Sequence, residues 1–187
     1  PLYTFDTALE AMREGRLKYD LGLSVLYWRK LRDEFLSIPT LGTINFHPAL
    51  LPEYKGTGGY NLAIMDELDQ WGNTAHYVDA SIDTGEIIEV DRFPIDAETE
   101  TAQSLERKTM QALEPFAQRI IARAIESKTK LPTTPNIGGR YVSRDEMEAM
   151  KRILDGDNIE KKIRAFWFPP YDGAYVEING QKYTLIN

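Results

Sequence analysis

The hydrophobic positions of the chain follow two different spacings, and their alternation predicts an α/β fold. Over residues 102–127, apolar residues recur every three or four positions, as on one face of a long helix. Short apolar runs rich in β-branched residues are typical of strands, and helical stretches separate them. The predicted helices cover residues 4–17, 29–35, 58–68 and 102–127, and the predicted strands cover residues 19–26, 42–47, 74–78 and 86–90. The apolar strand at 19–26 favours a mostly parallel sheet with an exposed edge.

A stretch rich in proline and glycine divides the chain. Residues 130–140 read as a linker between a core, residues 1–129, and a C-terminal extension, residues 141–187. Within the extension, Ser143 and Asn158 are typical helix caps, and Asn179-Gly180 predicts a β-hairpin because both residues tolerate positive φ. The aromatic segment 166–171 fits either the core of this extension or an exposed contact surface.

Composition excludes several classes of function. The 29 acidic and 22 basic side chains give a net charge of −7, which disfavours a large nucleic-acid surface for DNA or tRNA. The chain has no cysteine and two histidines, which excludes thiolate chemistry and a histidine-rich metal site. No apolar stretch reaches the roughly 18 residues of a membrane span, so we expect a soluble, cytoplasmic protein.

The candidate chemistry lies between Asn45 and Gly85. Asn45 and His47 alternate on a predicted strand and should point to the same side, and Asp83 follows in the sequence Ile-Asp-Thr-Gly. An amide and an imidazole can donate to a developing oxyanion, and a carboxylate can orient the imidazole. These residue types suit acyl transfer to an amine. A structural histidine before proline and a simple Asp-Thr-Gly turn explain the same residues without chemistry.

The segments INFHPALLPEYKG and NTAHYVDASIDTGEIIEV resemble the signature of the formyltetrahydrofolate-dependent formyltransferases. The resemblance extends over roughly residues 19–95 and implies a Rossmann-like formyltransferase core. It implies that Asn45, His47 and Asp83 are the catalytic residues, that N10-formyltetrahydrofolate is the formyl donor, and that no metal takes part. The chain lacks the family's first βα unit, so we expect it to be weak or inactive alone.

The resemblance also implies two sets of binding residues. Those expected at the folate are Trp28, Arg29, Leu31, Val78, Asp79, Ala80, Ser81 and Ile82. Those expected on the acceptor side are Tyr54, Lys55, Tyr60 and His76. The alternative for Lys55 is a solvated loop lysine, and the alternative for His76 is a structural strand histidine.

The family resemblance does not identify the acceptor of the formyl group, so we predict it from other features of the sequence. The chain is acidic, its C-terminal extension is short, and Thr57-Gly58-Gly59-Tyr60 differs from the Ala-Ala-Pro-like sequence of the tRNA enzymes. We therefore expect a small-molecule amine on a nucleotide-linked amino sugar, and a possible homodimer. A methionyl-tRNA formyltransferase-type enzyme and a non-catalytic folate-binding module are the alternatives.

Overall fold

The computed structural model describes residues 3–27 and 29–187, which form a mixed α/β architecture. The helices are α1 Phe5–Arg13, α2 Asp33–Leu36, α3 Gly59–Met65, α4 Ala102–Ser127, α5 Arg144–Met150 and α6 Ile159–Phe166. The strands are β1 Gly22–Val25, β2 Thr43–His47, β3 Tyr54–Gly56, β4 Gln70–Tyr77, β5 Ile87–Pro94, β6 Arg140–Val142, β7 Tyr175–Ile178 and β8 Gln181–Thr184.

The central sheet has the strand order β1-β2-β4-β5. The α/β class is confirmed, but within this sheet the expected parallel pairing holds for β1 and β2, whereas β2–β4 and β4–β5 are antiparallel. The cause lies in the connection from β2 to β4. Helix α3 has seven residues and spans ~10 Å, whereas β4 has eight residues and spans ~27 Å. The short helix does not return the chain to the far end of the sheet, so β4 starts where β2 stops and runs back.

Helix α4 covers one face of this sheet, and its predicted bounds are confirmed. Ile44 and Phe46 of β2 are buried in one hydrophobic cluster with Phe116 and Ile120 of α4. The rings of Phe46 and Phe116 meet edge to face, with centroids 6.1 Å apart. Because side chains alternate along a strand, Asn45 and His47 point to the opposite side of the sheet from Ile44 and Phe46.

The C-terminal residues share a core with the rest of the chain. Phe166 and Ala165 of α6 are buried in a second cluster with Trp71 of β4 and Ile64 of α3. Asn158 caps α6 as predicted, since its side chain accepts the Lys161 N–H. Tyr171, in contrast, is 70% exposed, so the aromatic segment is divided between core and surface.

The predicted hairpin is confirmed. Strands β7 and β8 pair antiparallel, and the turn residues Asn179 and Gly180 have φ of 53° and 77°. Two short strands were not predicted from the sequence: β3 and β6 pair in parallel and join the segment after β2 to the end of the expected linker. Among the described residues, no helix is long and apolar enough to cross a membrane.

Candidate functional site

Polar side chains gather on the sheet face opposite α4. The register of β2 and β4 places Asn45 beside His76 and His47 beside Thr74. Directly opposed residues of an antiparallel pair point to the same face, so both histidines and Asn45 are neighbours. Asp83, from the loop between β4 and β5, reaches the same place. His47 and His76 are 8% and 2% exposed, so the cluster is largely withdrawn from water.

His76 orients Asn45. Its Nδ1 lies 2.8 Å from the backbone oxygen of Tyr77, and its Nε2 lies 3.0 Å from Asn45 Nδ2. The carbonyl can only accept, so Nδ1 carries the proton and Nε2 accepts from the Asn45 amide. Burial lowers the pKa of His76, and His47 lowers it further, against the raising effects of the Tyr77 hydrogen bond and Asp83. His76 is therefore a neutral acceptor that fixes the Asn45 side chain.

Asp83 lies between the two imidazoles. Its Oδ1 is 3.6 Å from His47 Nδ1 and 3.7 Å from His76 Nε2, while its Oδ2 accepts the Gly56 N–H at 2.9 Å. His47 Nε2 donates to the Tyr54 backbone oxygen at 2.9 Å, which turns Nδ1 toward the carboxylate. The His47–Asp83 distance of 3.6 Å is long for a direct hydrogen bond, but such contacts commonly tighten once a substrate is bound. The His76 contact at 3.7 Å is not a hydrogen bond, because neutral Nε2 and the carboxylate oxygen both accept.

The conformation of the loop brings Asp83 back over the sheet. Asp83 itself has φ 54°, in the left-handed region. At Gly85, a Cβ would overlap the Tyr77 carbonyl oxygen, so this close approach requires glycine. Asp79, predicted at the folate, instead accepts the Ser81 N–H at 2.9 Å and the Thr84 hydroxyl at 2.6 Å. Its carboxylate therefore shapes the loop.

A cavity of about 390 Å³ adjoins this loop. Lys55, of β3, is 9% exposed, and its Nζ donates to the Gly138 carbonyl oxygen at 2.8 Å. The lining combines two ammonium groups with apolar and aromatic surface. It consists of Lys30, Lys55, Ala80, Ser81, Ile82, Thr84 and Tyr141.

The predicted folate residues divide between several environments. Ala80, Ser81 and Ile82 line the cavity, as a ligand contact requires. Leu31 lies elsewhere, in a cavity of about 270 Å³ beside β1 and α2. Arg29 is exposed, Val78 donates its N–H to the Thr43 carbonyl oxygen, and Trp28 lies outside the described residues.

The residues predicted on the acceptor side also lie in different parts of the structure. Lys55 lines the cavity, whereas the Tyr54 side chain turns away, donates to Asp66 and packs on Trp71 with ring centroids 5.3 Å apart. Burial and the Asp66 carboxylate raise the pKa of the Tyr54 hydroxyl to about 12. Tyr60 also packs on Trp71, with ring centroids 6.2 Å apart, and burial raises the pKa of its hydroxyl. Both rings contribute to the core, and only the backbone of Tyr54 reaches His47.

Several residues of the site were not predicted from the sequence. The Gly56 N–H and the Tyr54 carbonyl are backbone groups, which no residue type identifies. Tyr141 lines the cavity from β6, and Asn136 donates to the loop that carries Asp83. Both lie in or beside the expected linker, and the sequence gives no signal that this segment folds back onto the site.

The arrangement suits stabilisation of a developing oxyanion and transfer of a proton. One N–H of Asn45 is held by His76, and the other has no partner among the described residues, so it can donate to a ligand. His47 and Asp83 form an imidazole–carboxylate pair. In the part of the chain that the structure describes, no group of three or more His, Cys, Asp or Glu side chains has the geometry to hold a metal ion.

Comparison with known proteins gives a consistent result. The formyl transferase family model matches residues 7–121. The methionyl-tRNA formyltransferase of Clostridium tetani is 38% identical over 167 residues, which cover 88% of this chain and 53% of the relative. The GDP-perosamine N-formyltransferase of Brucella melitensis is 28% identical over 171 residues, which cover 89% of this chain and 64% of the relative. The chain thus spans between half and two thirds of the length of these curated relatives.

A solved structure agrees with the sequence comparisons. The N-formyltransferase of Helicobacter canadensis, in complex with folinic acid and dTDP-3-aminofucose, superposes with a TM-score of 0.73 at 26% identity. The match covers 97% of this chain and 64% of that chain. The family model includes Asn45, His47, His76 and Asp83 within its matched range, and we conclude that the chain belongs to the formyl transferase family.

Proposed function

We propose that this chain transfers a formyl group from N10-formyltetrahydrofolate to a primary amine. The observation that carries the proposal is the cluster of Asn45, His47, His76 and Asp83 on one face of the sheet, beside a cavity of ligand size. Such a cluster supplies oxyanion donors and a proton acceptor at one place, which acyl transfer needs.

The cavity suits a folate. Its volume of about 390 Å³ lies within the usual range of small-molecule sites. Ile82 and Tyr141 offer apolar surface to a flat ring system, and Lys30 and Lys55 offer positive charge to the anionic glutamate tail. The H. canadensis relative was crystallised with folinic acid, a formylated tetrahydrofolate, which supports the same donor here.

Each residue of the cluster has a distinct role. The donor supplies a formyl carbon for attack by the amine, and the bond from that carbon to N10 of the folate breaks. Asn45 donates a hydrogen bond to the formyl oxygen as negative charge develops on it. His47 donates to the same oxygen from a protonated Nδ1, because its Nε2–H is already held by the Tyr54 carbonyl oxygen. Asp83 accepts the proton that the attacking amine loses and orients His47. This proton is finally passed to N10 as the bond from the formyl carbon to N10 breaks. His76 keeps the Asn45 amide turned toward the formyl oxygen.

For the acceptor we propose the amino group of a nucleotide-linked amino sugar. The B. melitensis relative is named for GDP-perosamine, and the H. canadensis relative was solved with dTDP-3-aminofucose. The net charge of −7 also argues against a large tRNA-binding surface. The second candidate is methionyl-tRNA, because the C. tetani relative that carries this name is 38% identical. The cytoplasmic homodimer expected from the sequence stays a prediction.

The test begins with binding and then measures transfer. We expect calorimetric titration of the 187-residue chain with folinic acid to give one site per chain. Transfer from N10-formyltetrahydrofolate is then followed with GDP-perosamine, dTDP-3-aminofucose and methionyl-tRNA as separate acceptors. Absence of folinic acid binding refutes the donor assignment. Binding without transfer to any acceptor favours the folate-binding module, and formate release without acceptor indicates hydrolysis.

Variants link the activity to the cluster. His47→Ala and Asp83→Asn should each lower kcat at least ~100-fold, the usual effect of losing an oxyanion donor or an acid–base group. Asp66→Asn is the matched control, because this carboxylate accepts from the Tyr54 hydroxyl and lies outside the cluster. Activity of either cluster variant within tenfold of the parent chain would contradict the assigned roles.

A further inference from the structure

We propose that Asn136 is a positioning residue for Asp83, and that the segment 134–142, here called the strap, holds the imidazole–carboxylate pair together. The proposal deepens the proposed function and rests on it for its kinetic consequence. Asn136 lies between α4 and β6, in a stretch whose composition is typical of a linker.

Asn136 clamps the turn that carries Asp83. Its Nδ2 donates to the Asp83 carbonyl oxygen at 3.0 Å and to the Gly85 carbonyl oxygen at 2.9 Å. One amide group therefore satisfies both ends of the turn. Because Asp83 adopts φ 54°, which is unfavourable for a residue with a Cβ, the turn needs contacts from outside to persist.

The strap is anchored on the two sides of the site. On one side, Thr134 exchanges two backbone hydrogen bonds with Ile87, at 2.9 and 2.8 Å, directly after the Asp83 loop. On the other side, Gly139 lies so close to the Pro52 carbonyl oxygen that a Cβ would overlap it, and the Arg140 N–H donates to the Glu53 carbonyl oxygen at 2.8 Å.

The anchor at Gly139 and Arg140 acts on the backbone groups that hydrogen-bond to His47 and Asp83. Strand β6 of the strap pairs with β3, which provides the Tyr54 carbonyl oxygen for His47 Nε2 and the Gly56 N–H for Asp83 Oδ2. The strap thus contacts the loop of Asp83 and also the strand that orients both members of the pair. The separation of 3.6 Å between His47 Nδ1 and Asp83 Oδ1 depends on both connections.

The variant that tests this role is Asn136→Asp, with Asn136→Ala beside it. The aspartate has nearly the same size, but it replaces a donor to two carbonyls by an oxygen that repels them. The control is Asn158→Ala, which removes the side-chain cap of α6 and so lowers stability without touching the Asp83 loop. Unfolding in urea ranks the variants by stability, so that kinetics can be compared at similar folded fractions.

The kinetic readout separates positioning from general destabilisation. We expect Asn136→Asp and Asn136→Ala to lower kcat by ~10–100-fold with little change in folinic acid binding, since a displacement of about 1 Å can cost this much. The control should stay within twofold. In the Asp83→Asn background, Asn136→Ala should cause no further loss of kcat, because its effect passes through Asp83. An additive loss, or an unchanged kcat in the single variants, overturns the proposal.

A second readout does not depend on activity. In the ¹⁵N-labelled chain, the Gly56 amide should exchange with solvent at least ~10-fold faster in both Asn136 variants, because its acceptor is displaced. The same amide should be unaffected in the Asn158→Ala control. Unchanged exchange at Gly56 refutes the positioning role whether or not the chain transfers a formyl group. Altered exchange in a chain that neither binds folinic acid nor transfers keeps the role for Asp83 and refutes only the proposed function.

Discussion

Replacement of His76 by leucine should destabilise the protein at neutral pH and also remove a dependence of stability on pH. His76 is 2% exposed and accepts the Asn45 amide at 3.0 Å while donating to the Tyr77 carbonyl oxygen. Leucine has a similar volume and neither polar function. The substitution His76→Leu therefore leaves the half-buried amide of Asn45 without its acceptor and keeps the packing of the site nearly intact.

The magnitude follows from the unsatisfied amide. A fully buried donor without a partner costs ~1–3 kcal/mol. Because Asn45 is only half-buried, water can satisfy part of its amide, and we expect the free energy of unfolding at pH 8 to fall by an amount at the lower end of this range. In the proposed formyl transfer, an Asn45 side chain that is free to rotate would donate to the formyl oxygen for a smaller fraction of the time. A loss of ~1.4–2.7 kcal/mol in transition-state stabilisation corresponds to ~10–100-fold in kcat.

The direction of the pH effect follows from the lowered pKa of His76. Burial, with His47 nearby, holds the folded pKa below the unfolded value of 6.5. As the pH falls below 6.5, the unfolded chain binds this proton before the folded chain does. The stabilisation from neutral His76 is therefore fully present above pH 6.5 and is lost as the pH falls toward the folded pKa. His47 and Asp83 face the ring and are present in both parent and variant, so the difference between the two pH profiles reports His76.

The assay is urea unfolding at pH values between 5 and 8 for the parent, His76→Leu and His76→Gln. The parent should lose stability toward pH 5 more steeply than either variant. Glutamine cannot titrate but keeps an amide oxygen that can accept from Asn45, so it should retain more of the stability and of kcat than leucine. Equal pH slopes in parent and leucine variant, or a leucine variant more stable than the parent at pH 8, would refute this account of His76.

Three further substitutions test other parts of the structure. Gly85→Ala should lower kcat ~100-fold because its Cβ overlaps the Tyr77 carbonyl and shifts the Asp83 loop. Gly156→Ala strains a residue at φ 86° but places its Cβ in open space, so it should lower stability and not kcat, and similar kcat values for both variants would contradict this. Tyr54→Phe should keep kcat within twofold and lower the unfolding free energy by ~0.5–1.5 kcal/mol, and a large loss of activity would support the acceptor-side role that the sequence predicts for the hydroxyl. Phe116→Ala should cost ~3–5 kcal/mol in urea unfolding, and a loss below 1 kcal/mol would mean that the α4 face is not well packed.

The sheet part of the site could be predicted from sequence because it depends on strand periodicity. Asn45 and His47 are two positions apart on a strand that ends at a proline, and this alone places them on one face. The helical spacing of residues 102–127 was equally reliable, because a long amphipathic helix repeats its signal many times. The family resemblance added Asp83, whose distance along the chain has no local explanation.

The part of the site around Asp83 could not be predicted from the sequence, because it depends on backbone hydrogen bonds and on the pairing of two three-residue strands. Strand β3 has three residues, too few for a periodic pattern, and its partner β6 is more than 80 residues away. Tyr54 was predicted for its phenol, yet its carbonyl oxygen is the group that reaches His47. A residue type predicts side-chain chemistry, and it carries no information on where the main chain donates or accepts.

The two halves of the cluster therefore differ in what maintains them. The Asn45–His76 contact follows from the β2–β4 register and needs nothing outside the sheet. The His47–Asp83 contact depends on the glycine-dependent loop, on β3, and on the pairing of β3 with a segment that begins after α4. The matched range of the family model, residues 7–121, contains all four side chains and ends before Asn136. A local opening of the residues after 130 would thus leave the Asn45–His76 contact in place and separate the imidazole from its carboxylate. Under the proposed function, this C-terminal segment is therefore needed to hold the His47–Asp83 pair together.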